Sequence, residues 1–383
     1  MGYTMHSDLK LAVPIEYPEE QRPSHVQKLE RPQPLVKASR LAFLRFGKPD
    51  LDQCRNFWSD FGLRVVESTP MRLCMGTADG SPVAIVATKS AKPRFLGAAF
   101  EVDADVDWQD LLRRTAGRAL GSDELPGGGS GIECIDPEGF AVWLIAPQAR
   151  VDVKPVREAV PANGNTFHHA NRINATVRTP IEPATVGRLG HYVLQTPRFA
   201  EMAQWYMSHL GLIPSDVQYL PDGSPLLAFF RLDKGGTPVD HHTVVIASGL
   251  KADYEHSAYE VADLDALGQG QQVMRAAGHE HFWGIGRHVL GSQLFDYWSD
   301  HDKHQFEHYT DGDVFTADRP THYVPFAPGS IWAWGDDAPR EIFPQKSLGM
   351  LWRAIQLVRR RVYSLDKLKA MAAATDQPAR PWL

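Results

Sequence analysis

Two stretches, SRLAFLRFGKPDLDQCRNFWSDFGLRVVE from Ser39 and GRLGHYVLQTPRFAEMAQWYMSHLGLIPS from Gly187, follow one plan: an alternating strand, a turn, and an amphipathic helix closed by Gly-Leu. In the first copy Leu51, Cys54, Phe57, Trp58 and Phe61 recur at the spacing of one helical face. A second pair, FLGAAFEVDADVDWQDLLRRTAG and YEHSAYEVADLDALGQGQQVMRAAG, runs from a strand through an acidic turn into a helix closed by Gly. Each member of that pair is followed by strands around another acidic turn, ECIDPEGFAVWLIA in one half and FDYWSDHDKHQFEHYT in the other. Four βαβββ-like units in two pairs therefore predict an α+β fold built by internal duplication.

The units divide the chain into an extended N-terminal arm (1–38), a first domain (39–147), a Pro- and Arg-rich linker (148–186), a second domain (187–310) and a C-terminal extension (311–383). In the extension, DRPTHYVPFAPGSIWAWGDDAPREIFP is aromatic but broken by prolines, which predicts a segment draped over a surface as a lid. Residues 347–373 predict one or two amphipathic helices with a basic face, read as packing or subunit-contact helices. The two terminal arms suggest a homo-oligomer.

A net charge of -6 without a dense basic stripe ahead of the C-terminal tail argues against nucleic-acid binding and for a small-molecule partner. The cysteines, Cys54, Cys74 and Cys134, are odd in number and lack CxxC spacing, so neither a disulfide framework nor a cysteine metal knuckle is expected. No run approaches a membrane span and the N-terminus lacks a signal-peptide pattern, so the expectation is a cytoplasmic protein without a membrane partner.

Laying one half over the other isolates three positions. Phe43 in RLAF matches His191 in RLGH, Gly97 in LGAAFEV matches His256 in EHSAYEV, and Trp143 in GFAVW matches Glu307 in HQFE. Each lies in a short alternating segment, so it can point to one face of a strand. A histidine alone in a strand usually serves structure, but three ligand-type substitutions at corresponding places in one half point to a site. Two imidazoles and a carboxylate converging inside a curved sheet form the facial triad that leaves coordination positions open on Fe(II), with Mn(II) the alternative ion.

The second half resembles the catalytic domain of the type I extradiol ring-cleaving dioxygenases of the vicinal oxygen chelate superfamily. The resemblance rests on GRH at Gly286–His288, Tyr297 nine residues after His288, Glu307 ten further on, and His242 fourteen residues before His256. It spans roughly residues 40–310 and includes a metal-free first domain. It implies a vicinal oxygen chelate fold and metal ligands His191, His256 and Glu307. By the same likeness the reaction is cleavage of a catechol by Fe(II) and O2 to a semialdehyde or keto acid. His242 would assist deprotonation of the substrate hydroxyl and return the proton as the O–O bond breaks. Tyr297 and His288 would hydrogen-bond the substrate oxygens, although His288 could instead order the GIGRH loop. His241 could take His242's role, but the fourteen-residue interval favours His242. His241, Arg287 and Trp283 are expected near the substrate pocket. The family's Asp-Pro-Asp-Gly turn is replaced by Asp300, His301, Asp302 and Lys303, outside the metal shell. His301, His304 and His308 are read as outer or solvent residues, with His308 pointing away from Glu307.

Two other readings compete. A 4-hydroxyphenylpyruvate dioxygenase-like protein shares the dead first domain and a His, His, Glu triad, but the short intervals between His191, His256 and Glu307 and the GRH series disfavour it. A non-catalytic binding protein of the same superfamily has no need for His242, Tyr297 and His288 together. A glyoxalase-like isomerase usually draws ligands from both repeats, which Phe43, Gly97 and Trp143 forbid in this alignment.

Overall fold

Each half is organised on a long central strand, Ala38–Lys48 in the first and Val186–Thr196 in the second. In the computed structural model, which describes residues 16–152, 165–178, 181–342 and 347–376, each central strand pairs parallel on one side and antiparallel on the other. The first half forms an 8-stranded sheet in the order Arg64–Ser68, Arg72–Gly76, Ile85–Lys89, Ala38–Lys48, Arg94–Val102, Ala141–Ile145, Gly131–Ile135, Arg118–Ala119. The second repeats that order as Ile213–Tyr219, Pro225–Arg231, Val244–Ser248, Val186–Thr196, Asp253–Val261, Gln305–Thr310, Leu294–Ser299, Glu280–His288.

The repeat extends to register. Phe43 pairs with Ala99, Arg45 with Gly97 and Ala99 with Trp143; in the second half His191 pairs with Ala258, Val193 with His256 and Ala258 with Glu307. The sequence equivalences of Phe43 with His191, Gly97 with His256 and Trp143 with Glu307 are thus spatial ones. In the first half the corresponding space is filled by Phe43 edge-on to Trp143, with the Arg45 guanidinium 3.6 Å from the Trp143 ring. Gly97 has φ +138°, and a Cβ there would sit 1.8 Å from the Ala141 carbonyl oxygen, so no imidazole can replace it without moving backbone.

Helices cover the sheets as the patterns predict. Leu51–Asp60 is started by Asp50, whose carboxylate accepts from the Asp52 and Gln53 amides, and it buries Leu51, Cys54, Phe57 and Trp58. Phe199–Leu210 ends on Gly211 at φ 66° and buries Met202, Ala203, Tyr206 and Leu210.

The expected draped course of the C-terminal segment gives way to strands. His322–Pro325 extends one edge of the second sheet and Trp332–Trp334 the other, and Tyr323 and Trp332 are buried. The prolines sit where a sheet tolerates them: Pro325 closes a short strand and Pro328 opens a 3-10 turn. Within the described part of the N-terminal arm, Tyr17–Pro18 pairs with His322 and Tyr323 as the outermost strand, and the Leu29 amide donates to the Tyr323 hydroxyl at 3.0 Å. Residues 1–15 of that arm and 153–164 of the linker lie outside the described residues. Among the described residues no helix is long and apolar enough to cross a membrane.

Candidate metal centre and active site

Five neighbouring strands, and the segment two residues ahead of a sixth, each deliver one functional-type side chain. Across the sheet these are His242 ahead of Val244–Ser248, His191 on Val186–Thr196, His256 on Asp253–Val261, Glu307 on Gln305–Thr310, Tyr297 on Leu294–Ser299 and His288 at the end of Glu280–His288. One ligand atom from each of His191, His256 and Glu307 lies within 4.8 Å of the others. Nε2 of His191 and Nε2 of His256 each stand 3.4 Å from Glu307 Oε2, and His288 Nε2 is 3.6 Å from Oε1.

These separations are too long for good hydrogen bonds, and both Glu307 oxygens are buried without a hydrogen-bond partner, as is His191 Nδ1. A fully buried carboxylate left without donors is expensive unless something else neutralises it. Burial alone would push the Glu307 carboxyl up, but the facing imidazoles of His191, His256 and His288 outweigh it and hold the group well below its ordinary range. Burial likewise lowers His191, favouring the neutral, ligating form. A carboxylate held ionised and two imidazoles arranged around one point fit a divalent cation.

No family model matches the chain. Metapyrocatechase 2 of Cupriavidus necator is 30% identical over 295 residues, which cover 76% of this chain and 87% of that protein. The chain belongs to the extradiol ring-cleaving dioxygenases. Solved structures agree on the vicinal oxygen chelate fold. A homoprotocatechuate 2,3-dioxygenase variant from Brevibacterium fuscum superposes with a TM-score of 0.65 at 19% identity, over 80% of this chain and 81% of that one. A Mn(II)-bound glyoxalase from Novosphingobium aromaticivorans gives 0.64 at 20%, over 82% of this chain and 96% of that one. The 2-oxo-acid oxygenase reading is accordingly not favoured.

Around the triad of this dioxygenase, Tyr297 donates to or accepts from His288 Nε2 at 3.0 Å, and its ring stands edge-on to His256 at 5.1 Å. Burial, and then the Glu307 charge, push the Tyr297 phenol well above its usual value, so it stays protonated and able to donate. His288 is held from its other side by the Ile331 carbonyl, 2.9 Å from Nδ1. His242 lies against His191 with ring centroids 4.0 Å apart; burial first, then His191 and His241, lower it well below an ordinary histidine.

The remaining expected residues divide. His241 is buried next to His242 and turned toward Asp216. Trp283 packs on Tyr297 and Phe295, and its indole donates to the Asp336 carbonyl at 2.8 Å. Arg287 is drawn away from the ligand cluster, bonding the Ser292 carbonyl and the Asp311 carboxylate. His308 points off the Glu307 face: it is fully buried, stacks on Phe61 at 3.7 Å and lies 2.7 Å from the Phe61 carbonyl. His304 and Asp300 are tied to the buried ammonium of Lys48. Cys54, His301 and Asp302 also present ligand atoms within 4.8 Å of one another. The Lys48 ammonium 3.2 Å from Asp302 opposes a cation there, and burial pushes the Cys54 thiol up to about 12. Asp216 was not singled out by sequence reasoning. It lies inside Ile213–Tyr219, a strand buried along its whole length.

Proposed function

We propose that His191, His256 and Glu307 hold an Fe(II) ion at which the enzyme opens a catechol ring beside its two hydroxyls, giving a semialdehyde or keto acid that carries both atoms of O2. The observation that supports this most is the buried Glu307 carboxylate, without hydrogen bonds and faced by the two imidazoles. Held by these three residues, the ion would leave room for further oxygen ligands and would supply a path for electron density between a catechol and dioxygen.

The chain's own groups do the rest. His242, neutral because it is buried among other imidazoles, takes the proton of a substrate hydroxyl and later returns it. Tyr297, kept protonated, has one hydrogen, which it can turn from His288 Nε2 to a substrate oxygen, and the 3.0 Å contact with His288 fixes where that phenol stands. Trp283, Phe295 and Trp332 form the buried aromatic cluster on which Tyr297 rests, and this keeps water from its ring. Mn(II) suits the same ligands, so the metal has to be read from the isolated protein.

The test is oxygen uptake by protein reconstituted anaerobically with Fe(II) or Mn(II), against catechol, 3- and 4-substituted catechols and biaryl catechols. One O2 consumed per catechol with a yellow product is expected, and the ranking assigns the substrate class. Metal bound tightly with no uptake on any catechol would overturn the reading.

A further inference from the structure

Two more buried polar residues continue from His242. His241 Nδ1 lies 2.8 Å from His242 Nδ1, and His241 Nε2 bonds Asp216 Oδ2. Asp216, His241 and His242 are 3%, 1% and 4% exposed, so the chain of three is closed to water. The His241 ring is fixed on several sides. Its backbone amide donates to the Asp313 carbonyl, its own carbonyl accepts from Ser215 Oγ at 2.6 Å, and Phe229 and Phe315 stand edge-on to it. Gly291 completes the slot, since a Cβ there would lie 3.1 Å from His241 Nδ1.

The hydrogens in this chain have a fixed direction. A carboxylate only accepts, so the proton between Asp216 and His241 sits on His241 Nε2. In a neutral His241, Nδ1 is then the lone-pair atom, and it can only accept from His242 Nδ1–H. That leaves the lone pair of a neutral His242 on Nε2, the nitrogen free of this chain. Asp216 Oδ1 has no hydrogen-bond partner, so the carboxylate's hydrogen bonding is directed at His241.

We infer that Asp216 and His241 are positioning residues for ring cleavage, forming a buried relay that holds His242 as the Nδ1–H tautomer with Nε2 presented as the base. The inference rests on the role given to His242 above. When a substrate hydroxyl gives its proton to His242 Nε2, the Nδ1 proton can pass to His241 Nδ1. The positive charge then rests beside the Asp216 carboxylate instead of beside the metal. One proton leaves the substrate and one is gained by the His241–Asp216 pair; the reverse transfer returns it to the product side. The relay thus separates the new charge from the cation that would repel it.

The relay can be read without turnover. 15N NMR of histidine-labelled, Zn(II)-loaded protein should show His242 as the Nδ1–H tautomer, and Asp216→Asn or His241→Phe should shift it toward Nε2–H. In Fe(II)-loaded enzyme, Asp216→Asn should lower kcat about 10–100-fold with metal content and catechol KM near wild type. His241→Asn, whose side-chain oxygen can replace Nδ1 as acceptor, should retain more kcat than His241→Phe. A wild-type His242 in the Nε2–H form, or His241→Phe within twofold of wild-type kcat, overturns the relay. His242→Ala separates the two ideas: normal turnover there removes the role of His242 itself, whereas lost turnover alongside a normal His241→Phe removes only the relay.

Discussion

Glu307 and His242 are both buried beside the same imidazoles, yet their chemistry predicts opposite consequences of removal. Taking away a ligand leaves the cation with too few donors, so His256→Ala should lose metal and oxygen uptake together. His242 contributes no ligand atom to the cluster, so His242→Ala should keep its metal and lose turnover by about 10²–10⁴-fold. Metal analysis beside oxygen uptake distinguishes them, and equal metal loss in both would contradict the assignment. The triad was legible because the chain contains its own reference: where the second half has His191, His256 and Glu307, the first has Phe43, Gly97 and Trp143 at the same register. Asp216 had no such reference, and its partner His241 is distant in sequence. Its pairing arises only when Ile213–Tyr219 and the residues before Val244–Ser248 are brought together by the sheet.

At the scale of elements, alternation and helix caps were readable because they are local, whereas the C-terminal strands were not. His322–Pro325 is four residues long and Trp332–Trp334 three, each too short to show a period, and each is a strand only because a longer one offers its edge. Their contribution reaches the site. The Ile331 carbonyl fixes His288, and Trp332 packs edge-on against Trp283, which stacks on Tyr297. Trp332→Ala should therefore destabilise the fold by about 3–5 kcal/mol and lower kcat through His288 and Tyr297, with metal retained at temperatures where the protein stays folded. A lid would behave differently: its removal would raise KM and spare the melting temperature. Thermal unfolding of Trp332→Ala beside its kcat and KM separates the two. The helix Leu348–Arg359 that follows is amphipathic as its pattern predicts, but Leu348, Leu351, Trp352 and Ile355 on one side of it are exposed.

Across the whole molecule, the two sheets are joined by a seam that explains the unusual turn at Asp300–Lys303. Lys48, from the central strand of the first half, is fully buried and pairs with Asp300 and Asp302 of the second, with His304 at 2.6 Å; close by, His308 stacks on Phe61. Removing one partner leaves the other charge buried, so Lys48→Met should destabilise by about 3–5 kcal/mol, and Lys48→Met with Asp300→Asn by less than the sum of the single changes. The same seam predicts a response to acid. Burial lowers His304 to about 3, with Lys48 and His301 adding to the effect, and burial lowers His308 to about 4. Both are neutral in the folded protein and titrate near 6.5 once unfolded, so the unfolded chain binds more protons below that pH. Their stabilising contribution is complete above about pH 6.5 and is lost progressively as pH falls toward the folded values, by roughly 1.4 kcal/mol per unit for each group. The carboxylates with lowered values begin to respond only below about pH 5, while Asp136, which burial raises to about 6, works the other way and offsets part of one histidine's share. Melting of metal-free protein should therefore fall already between pH 7 and pH 5, and His304→Phe should flatten that slope. A melting temperature constant over this interval would mean that the seam admits water and lets these rings charge in place.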